Sequence, residues 1–301
     1  MLPAERQSMS FLVGGAKVSG ILHLPARADD VRLPCVVLAH GWGMVMEGDL
    51  QNYAASIADK QFAAFTFDFR NLGLSDGLPR QLIDPVRQIE DYRAAITFVR
   101  GLPAIDPERI GLWGSSFAGG HVLAVTAMDA RVRCAVAQVP TISSWKTARR
   151  KLSPDQLREN QAMLIADREA SDRGAEPGII KTVGSVAGER VTYSDPHSLA
   201  YMMRQGEICP SWRNYSTLSS IERARCYEPG AYVDRIVDTP LLMIVAEDDT
   251  VTPVDFQREA FARIPSPTKR LLAVPGGHYA VYEDQFGVTS AAAAGWFAEH
   301  L

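Results

Sequence analysis

The sequence predicts an α/β fold built on a mostly parallel sheet of about eight strands, flanked by helices. Short apolar runs alternate with longer amphipathic stretches, which is the pattern of βαβ units. Several of these runs, such as CVVLA at 35–39, are apolar at every position, as expected for strands that are covered on both faces. A segment of about 100 residues between Val139 and Leu241 interrupts the rhythm and indicates an insertion.

The strands follow in order along the chain. A hairpin around Gly14-Gly15 is expected first, and apolar runs then mark six further strands. The predicted strands are 8–13, 18–24, 35–39, 63–67, 110–113, 134–139, 241–245 and 271–274.

Helices are predicted between these strands. Asp84-Pro85 is a capping residue followed by proline, and it is expected to begin a helix that runs to about Arg100. Thr252-Pro253 repeats this pattern, and Asp255 completes a spacing like that of a capping box. The other two predicted helices of the core are 116–128 and 290–300.

The inserted segment is predicted to form a mainly helical cap. It contains charged helical stretches, such as 146–173, and a part punctuated by glycine, serine and proline. Because structureless connections of this length are rare in compact domains, we expect the cap to cover one edge of the sheet. The predicted division is therefore a core at 1–140, a cap at 141–235 and a second part of the core at 236–301.

Composition limits the function. Hydrophobic residues make up 47% of the chain, enough for a large core. The net charge of −4, from 31 basic and 35 acidic residues, predicts neither nucleic-acid nor membrane binding and favours a small-molecule partner. The oligomeric state cannot be read from these features.

The predicted location is a reducing cytoplasm. Glu5 and Arg6 stand where a signal peptide would need its apolar segment. Cys35 and Cys134 fall in strand-like apolar runs, and the spacing of the four cysteines fits neither a zinc site nor a disulfide framework.

A turn of small residues, GSSFAGG at 114–120, follows one predicted strand and precedes an apolar helix. Such a turn projects a serine hydroxyl at the top of a sheet, beside the positive end of the helix. The frame Gly114-x-Ser116-x-Ala118 is a G-x-S-x-G elbow with alanine last, and it makes Ser116 the candidate nucleophile. Ser115 is the alternative, but it would put Trp113 and Phe117 at the small positions.

A serine hydroxyl is a weak nucleophile that needs a base, and the base needs an orienting acid. His278 ends the run LLAVPGGH at 271–278 and is the candidate base. The preceding strand runs into Glu247-Asp248-Asp249 and then into Pro253. Asp249 is the favoured acid because its loop leads into the helix that begins at the proline, and Asp248 is the main alternative. The chain order is serine, aspartate, histidine.

An oxyanion needs backbone donors. The N–H of Phe117, just after the candidate nucleophile, and the N–H of Trp42, in the loop HGWG at 40–43, are the candidates. His40 is interpreted as a residue that closes its strand and shapes this loop. Asp68 and Arg70 are expected to form an ion pair or to bond loop backbone.

Together these residues resemble the α/β-hydrolase superfamily. The resemblance rests on the HGxG loop, the DFRNLGLS turn at 68–75, the elbow, the acid loop and the Gly-His loop, in the order of the family. The elbow WGSSFAGG and the loop VAEDD are similar to those of its dienelactone-hydrolase-like and polyketide-transferase-like branch. Ala118 at the last elbow glycine and Asn71-Leu72 in place of Gly-His depart from the family pattern.

The resemblance and the residues together imply an enzyme that forms an acyl-enzyme on Ser116. A carboxylic ester of a small molecule is the expected substrate. The same residues could serve a thioesterase, an amidase, a carbon–carbon bond hydrolase or an acyltransferase, because the elbow does not encode the leaving group. A non-catalytic binding protein is a further alternative. No metal or organic cofactor is required.

The cap is expected to select the substrate. The predicted pocket residues are Trp145, Trp212, Tyr215 and Tyr279, with Ile142, Tyr201 and Met202 as further candidates. The basic run Arg149-Arg150-Lys151 could meet an acidic substrate, although a solvated helix face is the favoured interpretation.

Overall fold

The structure is a computed structural model that describes residues 5–25, 31–186 and 188–301. The prediction of a cytoplasmic location used the N-terminal segment. Residues 1–4 of this segment lie outside the described residues. The main sheet has eight strands, the number predicted, and their order is β1-β2-β4-β3-β5-β6-β10-β11. They are β1 (Glu5–Val13), β2 (Ala16–Leu24), β3 (Leu33–Ala39), β4 (Ala63–Phe67), β5 (Ile105–Ser115), β6 (Val132–Gln138), β10 (Leu241–Ala246) and β11 (Lys269–Val274).

The hairpin β1–β2 pairs antiparallel with the edge of the sheet, and the remaining six strands are parallel. Helices cover both faces. They are α1 (Asp49–Ala58), α2 (Pro85–Arg100), α3 (Phe117–Met128), α8 (Val254–Arg263) and α9 (Phe286–His300). Side chains of α1 and α9 pack on one face, and those of α2, α3 and α8 pack on the other. Both faces are therefore buried, which explains the unbroken apolar strands.

Between β6 and β10 lies the segment predicted as a cap, which we call the cap segment. Its helices are α4 (Ser144–Lys151), α5 (Pro154–Asp172), α6 (Pro196–Ile208) and α7 (Leu218–Arg225). It also contains a small sheet that the sequence did not predict, formed by β7 (Ile179–Val183), β8 (Val191–Tyr193) and β9 (Tyr215–Thr217).

The structure differs from the sequence predictions at several helix boundaries. The charged stretch 146–173 is two helices, because Ser153 forms a capping box ahead of Pro154 and begins α5 anew. The last helix begins at Phe286 rather than Ser290. Thr252 does not cap α8; Pro253 occupies the N-cap position, and the threonine hydroxyl bonds elsewhere.

The last part of the segment predicted as the cap packs on the core. Ala224, Tyr227 and Val233 belong to the buried cluster on the α2–α3 face of the main sheet. Because the parallel strands share one direction, the loops after β3, β5, β6, β10 and β11 meet at one edge of the sheet, beneath the cap segment.

Candidate active site

Ser116 lies at the junction of β5 and α3. Its φ of 59° and ψ of −118° are outside the helical region, so α3 begins at Phe117 and not at Ser116 as predicted. Small neighbours make this turn possible. A Cβ atom on Gly114 would lie 2.4 Å from the carbonyl oxygen of Ala118, and one on Gly120 would lie 2.7 Å from that of Thr141. The methyl group of Ala118 is itself accommodated in the core.

The structure joins Ser116, His278 and Asp249 by hydrogen bonds. The Oγ of Ser116 lies 3.0 Å from Nε2 of His278. On the other side of the ring, Nδ1 of His278 lies 2.8 Å from Oδ2 of Asp249. All three residues are buried. This geometry allows the imidazole to accept a proton from the serine while its Nδ1–H donates to the carboxylate.

The carboxylate of Asp249 is held by several donors. Its Oδ1 accepts the backbone N–H groups of Val251 at 2.8 Å and Thr252 at 2.9 Å. Its Oδ2 accepts from Nε2 of Gln257 at 3.3 Å. Burial alone would raise the pKa of Asp249, but the charge of His278 and the hydrogen bonds from His278 and Thr252 outweigh it, so the pKa lies below its ordinary value.

The neighbouring acids face away from this network. Asp248 is exposed, and its backbone N–H donates to Gly276. Glu247 is also exposed and forms an ion pair with Arg258 at 2.7 Å. Of the three consecutive acids, only Asp249 reaches His278.

Thr252 is a member of the network that the sequence analysis missed. Its Oγ1 lies 2.8 Å from Oδ2 of Asp249, 2.9 Å from the carbonyl oxygen of Val139 and 3.1 Å from Nδ1 of His278. A hydroxyl carries one proton, so it donates to either the carboxylate or the carbonyl. The signal was present in the sequence as a hydroxyl three residues after the acid, but the following proline favoured an interpretation as a helix cap.

Ser115 is held apart from the imidazole. Its Oγ accepts hydrogen bonds from the hydroxyl of Tyr282 and, at 3.3 Å, from Nε2 of Gln138. It is 1% exposed and lies against a different small cavity from Ser116. This geometry favours the frame with Ser116.

The predicted oxyanion donors lie beside Ser116. Phe117 is the first residue of α3, and Trp42 follows Gly41 in the loop after β3. A Cβ atom on Gly41 would lie only 3.1 Å from that of Ser116, so glycine lets this loop approach the serine. Within the described ranges, neither the Trp42 nor the Phe117 backbone N–H donates a hydrogen bond. Both groups are therefore available to a developing negative charge.

His40 and Asp68 shape the loop rather than extend the network. The Nδ1 of His40 donates to the carbonyl of Gly41 at 3.0 Å, and burial lowers the pKa of His40 to about 4. The carboxylate of Asp68 accepts the backbone N–H groups of Met46 at 2.6 Å and Leu74 at 2.8 Å.

The ion pair considered for Asp68 and Arg70 is not formed. Arg70 instead pairs with Asp91, and with Glu90 at 3.0 Å. The other expected role of Asp68, bonding loop backbone, is the one that the structure has.

Two cavities adjoin the hydrogen-bonded residues. The smaller, of about 30 Å³, is lined by Ser116 and His278 together with Tyr279, Tyr201 and Met202. The larger, of about 210 Å³, lies between the elbow and the cap segment, and we call it the cap chamber. Trp42, Tyr193 and Val251 line both cavities.

The structure does not place three of the predicted pocket residues in either cavity. The side of α4 that faces the cap chamber is formed by Ser144, Thr147, Ala148 and Lys151. Their spacing of three and four residues is one helix face, so Trp145 lies on another and is 45% exposed.

Trp212 packs on α6, where its ring would meet a Cβ at Gly206 at 2.7 Å. Tyr215 lines a separate surface pocket, and Ile142 packs against Gly230. Of the four main predicted pocket residues, Tyr279 is the one beside Ser116 and His278, and the further candidates Tyr201 and Met202 line the same cavity. The sequence analysis missed the apolar residues of the cap chamber, which include Leu152, Met163, Ile180, Val191 and Ile221.

Residues 34–285 match the protein family described as alpha/beta hydrolase fold. The chain belongs to this family. It is 32% identical to the thiohydrolase aneE of Aspergillus aculeatus over 85% of this chain and 81% of that protein. It is 25% identical to the polyketide transferase claH of Penicillium crustosum over 89% of this chain and 88% of that protein. A solved structure of DcsB in complex with its substrate analogue has a TM-score of 0.85 at 27% identity, with 98% and 99% of the two chains covered.

This α/β-hydrolase-fold protein is therefore an enzyme, and relatives named for hydrolysis support hydrolase activity. The resemblance to the branch with polyketide transferases is confirmed. Among the described residues, no cluster of three or more histidine, cysteine or acidic side chains is arranged to hold a metal ion. In the same part of the chain, every helix is too short or too polar to span a bilayer.

Proposed function

We propose that this enzyme is a serine hydrolase that cleaves a carboxylic ester, or a related acyl bond, of a small molecule. One observation carries the proposal: Ser116 Oγ lies 3.0 Å from His278 Nε2, and His278 Nδ1 lies 2.8 Å from the buried carboxylate of Asp249. A hydroxyl, an imidazole and a carboxylate in this order form the arrangement that activates serine.

The steps follow from these positions. His278 Nε2 takes the proton of Ser116 as its Oγ attacks the carbonyl carbon. The negative oxygen that forms accepts hydrogen bonds from the N–H groups of Phe117 and Trp42, and removal of one such donor typically raises a barrier by about 3 kcal/mol. His278 then returns its proton to the departing alcohol. Water, activated by the same imidazole, releases the acid from Ser116.

Asp249 keeps the imidazole in the tautomer that leaves Nε2 free to accept a proton, and it stabilises the imidazolium that forms. Its lowered pKa supports this role, because the carboxylate stays ionised at neutral pH. None of these steps requires a metal or an organic cofactor. We also propose a cytoplasmic location, supported by free Cys35, Cys134, Cys209 and Cys226.

A thioester is the second candidate substrate. The relative aneE is named a thiohydrolase, and the same residues serve a thiol leaving group without change. Transfer of the acyl group to an acceptor other than water is a related alternative, supported by the name of claH.

Fluorophosphonate labelling and a substrate panel test the proposal. The wild-type protein should be labelled on Ser116 and should hydrolyse p-nitrophenyl esters or acyl thioesters. Ser116→Ala should lose labelling and about 10⁶-fold in turnover, the scale known for loss of a nucleophilic serine. Circular dichroism should show an unchanged fold.

Ser115→Ala is the matched control and should keep its labelling. Full activity in Ser116→Ala would overturn the proposal, and loss confined to Ser115→Ala would move the nucleophile to the other frame. Relative kcat/KM values across the panel would rank esters against thioesters, and β-diketones would test carbon–carbon bond cleavage.

A further inference from the structure

The cap chamber combines an apolar wall with positive charge. Its apolar lining comes from the elbow side and from the cap segment, while three basic residues, Lys151, Arg190 and Arg225, also line it. Within the described residues, no aspartate or glutamate lines this cavity. A cavity that has apolar walls and cationic side chains, but no acidic side chain, favours a ligand with both an apolar part and a negatively charged group.

Arg225 is the most unusual of the three. It is the last residue of α7, and its Nη1 is shielded from solvent without a hydrogen-bond partner. Its guanidinium forms no ion pair with any described residue. Burial lowers the pKa of Arg225, but an arginine stays charged at neutral pH. A desolvated charge without a partner destabilises a protein unless an anion pairs with it.

A neighbouring arginine on the same helix shows the contrast. Arg223 lies two residues earlier and pairs with Asp84 at 2.6 Å. Asp84 caps α2, so this pair joins the cap segment to the core. Arg223 thus has a structural partner within the chain, and Arg225 does not.

The other two basic residues show the same pattern. Arg150 turns toward α8 and pairs with Asp255 at 2.6 Å, whereas the next residue, Lys151, lines the cap chamber and donates to the carbonyl of Val251 at 3.4 Å. The Nη1 of Arg190 lies 2.9 Å from the sulfur of Met163, which is a weak acceptor. Neither Lys151 nor Arg190 forms an ion pair with a described residue.

The cap chamber adjoins the cavity that contains Ser116 and His278, since Trp42, Tyr193 and Val251 line both. An engineered cavity of about 150 Å³ holds benzene, so the 210 Å³ of the cap chamber should hold about eight non-hydrogen atoms. That is the size of a short acyl chain with a polar end. A phosphopantetheine arm is much larger.

We propose that the cap chamber binds the acyl part of a substrate whose chain ends in a carboxylate, with Arg225 as the main partner of that carboxylate. The proposal rests on the function proposed for Ser116 and adds the class of its substrate. The apolar walls hold the carbon chain, and Lys151 and Arg190 add positive charge to the same cavity.

The test compares two substrates of equal chain length, mono-p-nitrophenyl adipate and p-nitrophenyl hexanoate. Wild-type enzyme should prefer the adipate. Arg225→Met should lower kcat/KM for adipate about tenfold or more relative to hexanoate, because hydrogen bonds to charged groups are the strong ones. Arg225→Lys should restore part of the preference, and Lys151→Met should reduce it less.

Arg149→Met is the matched control. Arg149 is an exposed cation on α4 that does not line the cap chamber, and its replacement should leave the adipate-to-hexanoate ratio unchanged. An unchanged ratio in Arg225→Met, or an equal change in Arg149→Met, would overturn the proposal.

Two further measurements separate the alternatives. Hexanoyl-CoA and the hexanoyl thioester of N-acetylcysteamine differ in the phosphates of the leaving group. If Arg225→Met changes their ratio and not that of adipate to hexanoate, the anion belongs to the leaving group and the acyl assignment is wrong. Calorimetry with monomethyl adipate and the Ser116→Ala protein measures binding alone. If adding Arg225→Met to this protein weakens the binding, the subsite is supported even if Ser116 is not the nucleophile.

Discussion

The acid loop and the cap chamber differ in whether their charged side chains have partners within the protein. Asp249 is buried, and donors from three neighbouring residues and His278 surround its carboxylate. The Nη1 of Arg225 is also shielded from solvent, but no described residue pairs with this guanidinium. A charge whose partners are all internal is held in one position, which suits a residue that orients a base. A charge without an internal partner is suited to binding a group from outside.

The largest effect should come from breaking the acid loop. Asp249→Asn should lower kcat by about 10⁴, because an amide favours the wrong tautomer of the imidazole. KM should change much less. Asp248→Asn is the control, since the Asp248 side chain is exposed and does not hydrogen-bond to His278, and its kcat should stay near that of the wild type. The reverse ranking of the two variants would assign the orienting role to Asp248.

A smaller effect is expected from removal of the Thr252 hydroxyl, which contacts Asp249, His278 and the carbonyl of Val139. Thr252→Val should lower kcat about tenfold, since it removes a hydrogen bond to a charged group while the backbone N–H of residue 252 still reaches Asp249. The pKa of Asp249 should rise as a donor is lost, which would shift the pH profile of its carboxyl carbon, followed by NMR titration, toward higher pH.

Thr252→Ser should recover most of the lost activity. Thr250→Val changes an exposed threonine of the same loop and should have no effect. If Thr252→Val lowers stability but leaves both kcat and the pH profile unchanged, the hydroxyl has only a structural role.

The smallest effect should come from the apolar wall of the cap chamber. Met163→Ala should change the ratio of kcat/KM for p-nitrophenyl decanoate to that for butyrate several-fold, because a methylene contact is worth about 1–3 kcal/mol. Trp145→Ala, on the exposed side of α4, should leave this ratio unchanged. Equal changes in both variants would show that the cap helices α4 and α5 affect substrate choice through packing and not through contact.

The candidate site was predictable because its residues lie in short, local motifs. The elbow needs small residues around Ser116, and a glycine turn carries His278, so the sequence itself reports the backbone constraint. Apolar runs located the eight strands for a similar reason, since strands that are covered on both faces tolerate few polar residues.

The cap segment was less predictable because its roles depend on helix rotation and on contacts distant in sequence. Trp145 and Lys151 lie on one helix, and only the packing of α4 decides which of them faces the cavity. Arg223 and Arg225 are alike in sequence, but the partner of Arg223 lies about 140 residues away. The strands β8 and β9 have three residues each, too few for a periodic signal.

The backbone conformation of Ser116 bears on how selection has acted at this position. A φ of 59° with a ψ of −118° is a conformation that glycine adopts without strain and that other residues hold at a penalty of about 1–3 kcal/mol. Ser116→Gly should therefore raise the free energy of unfolding, while it removes the hydroxyl. Selection for stability alone would tend to replace this serine. Its presence in so unfavourable a conformation indicates that selection has acted on a property other than stability.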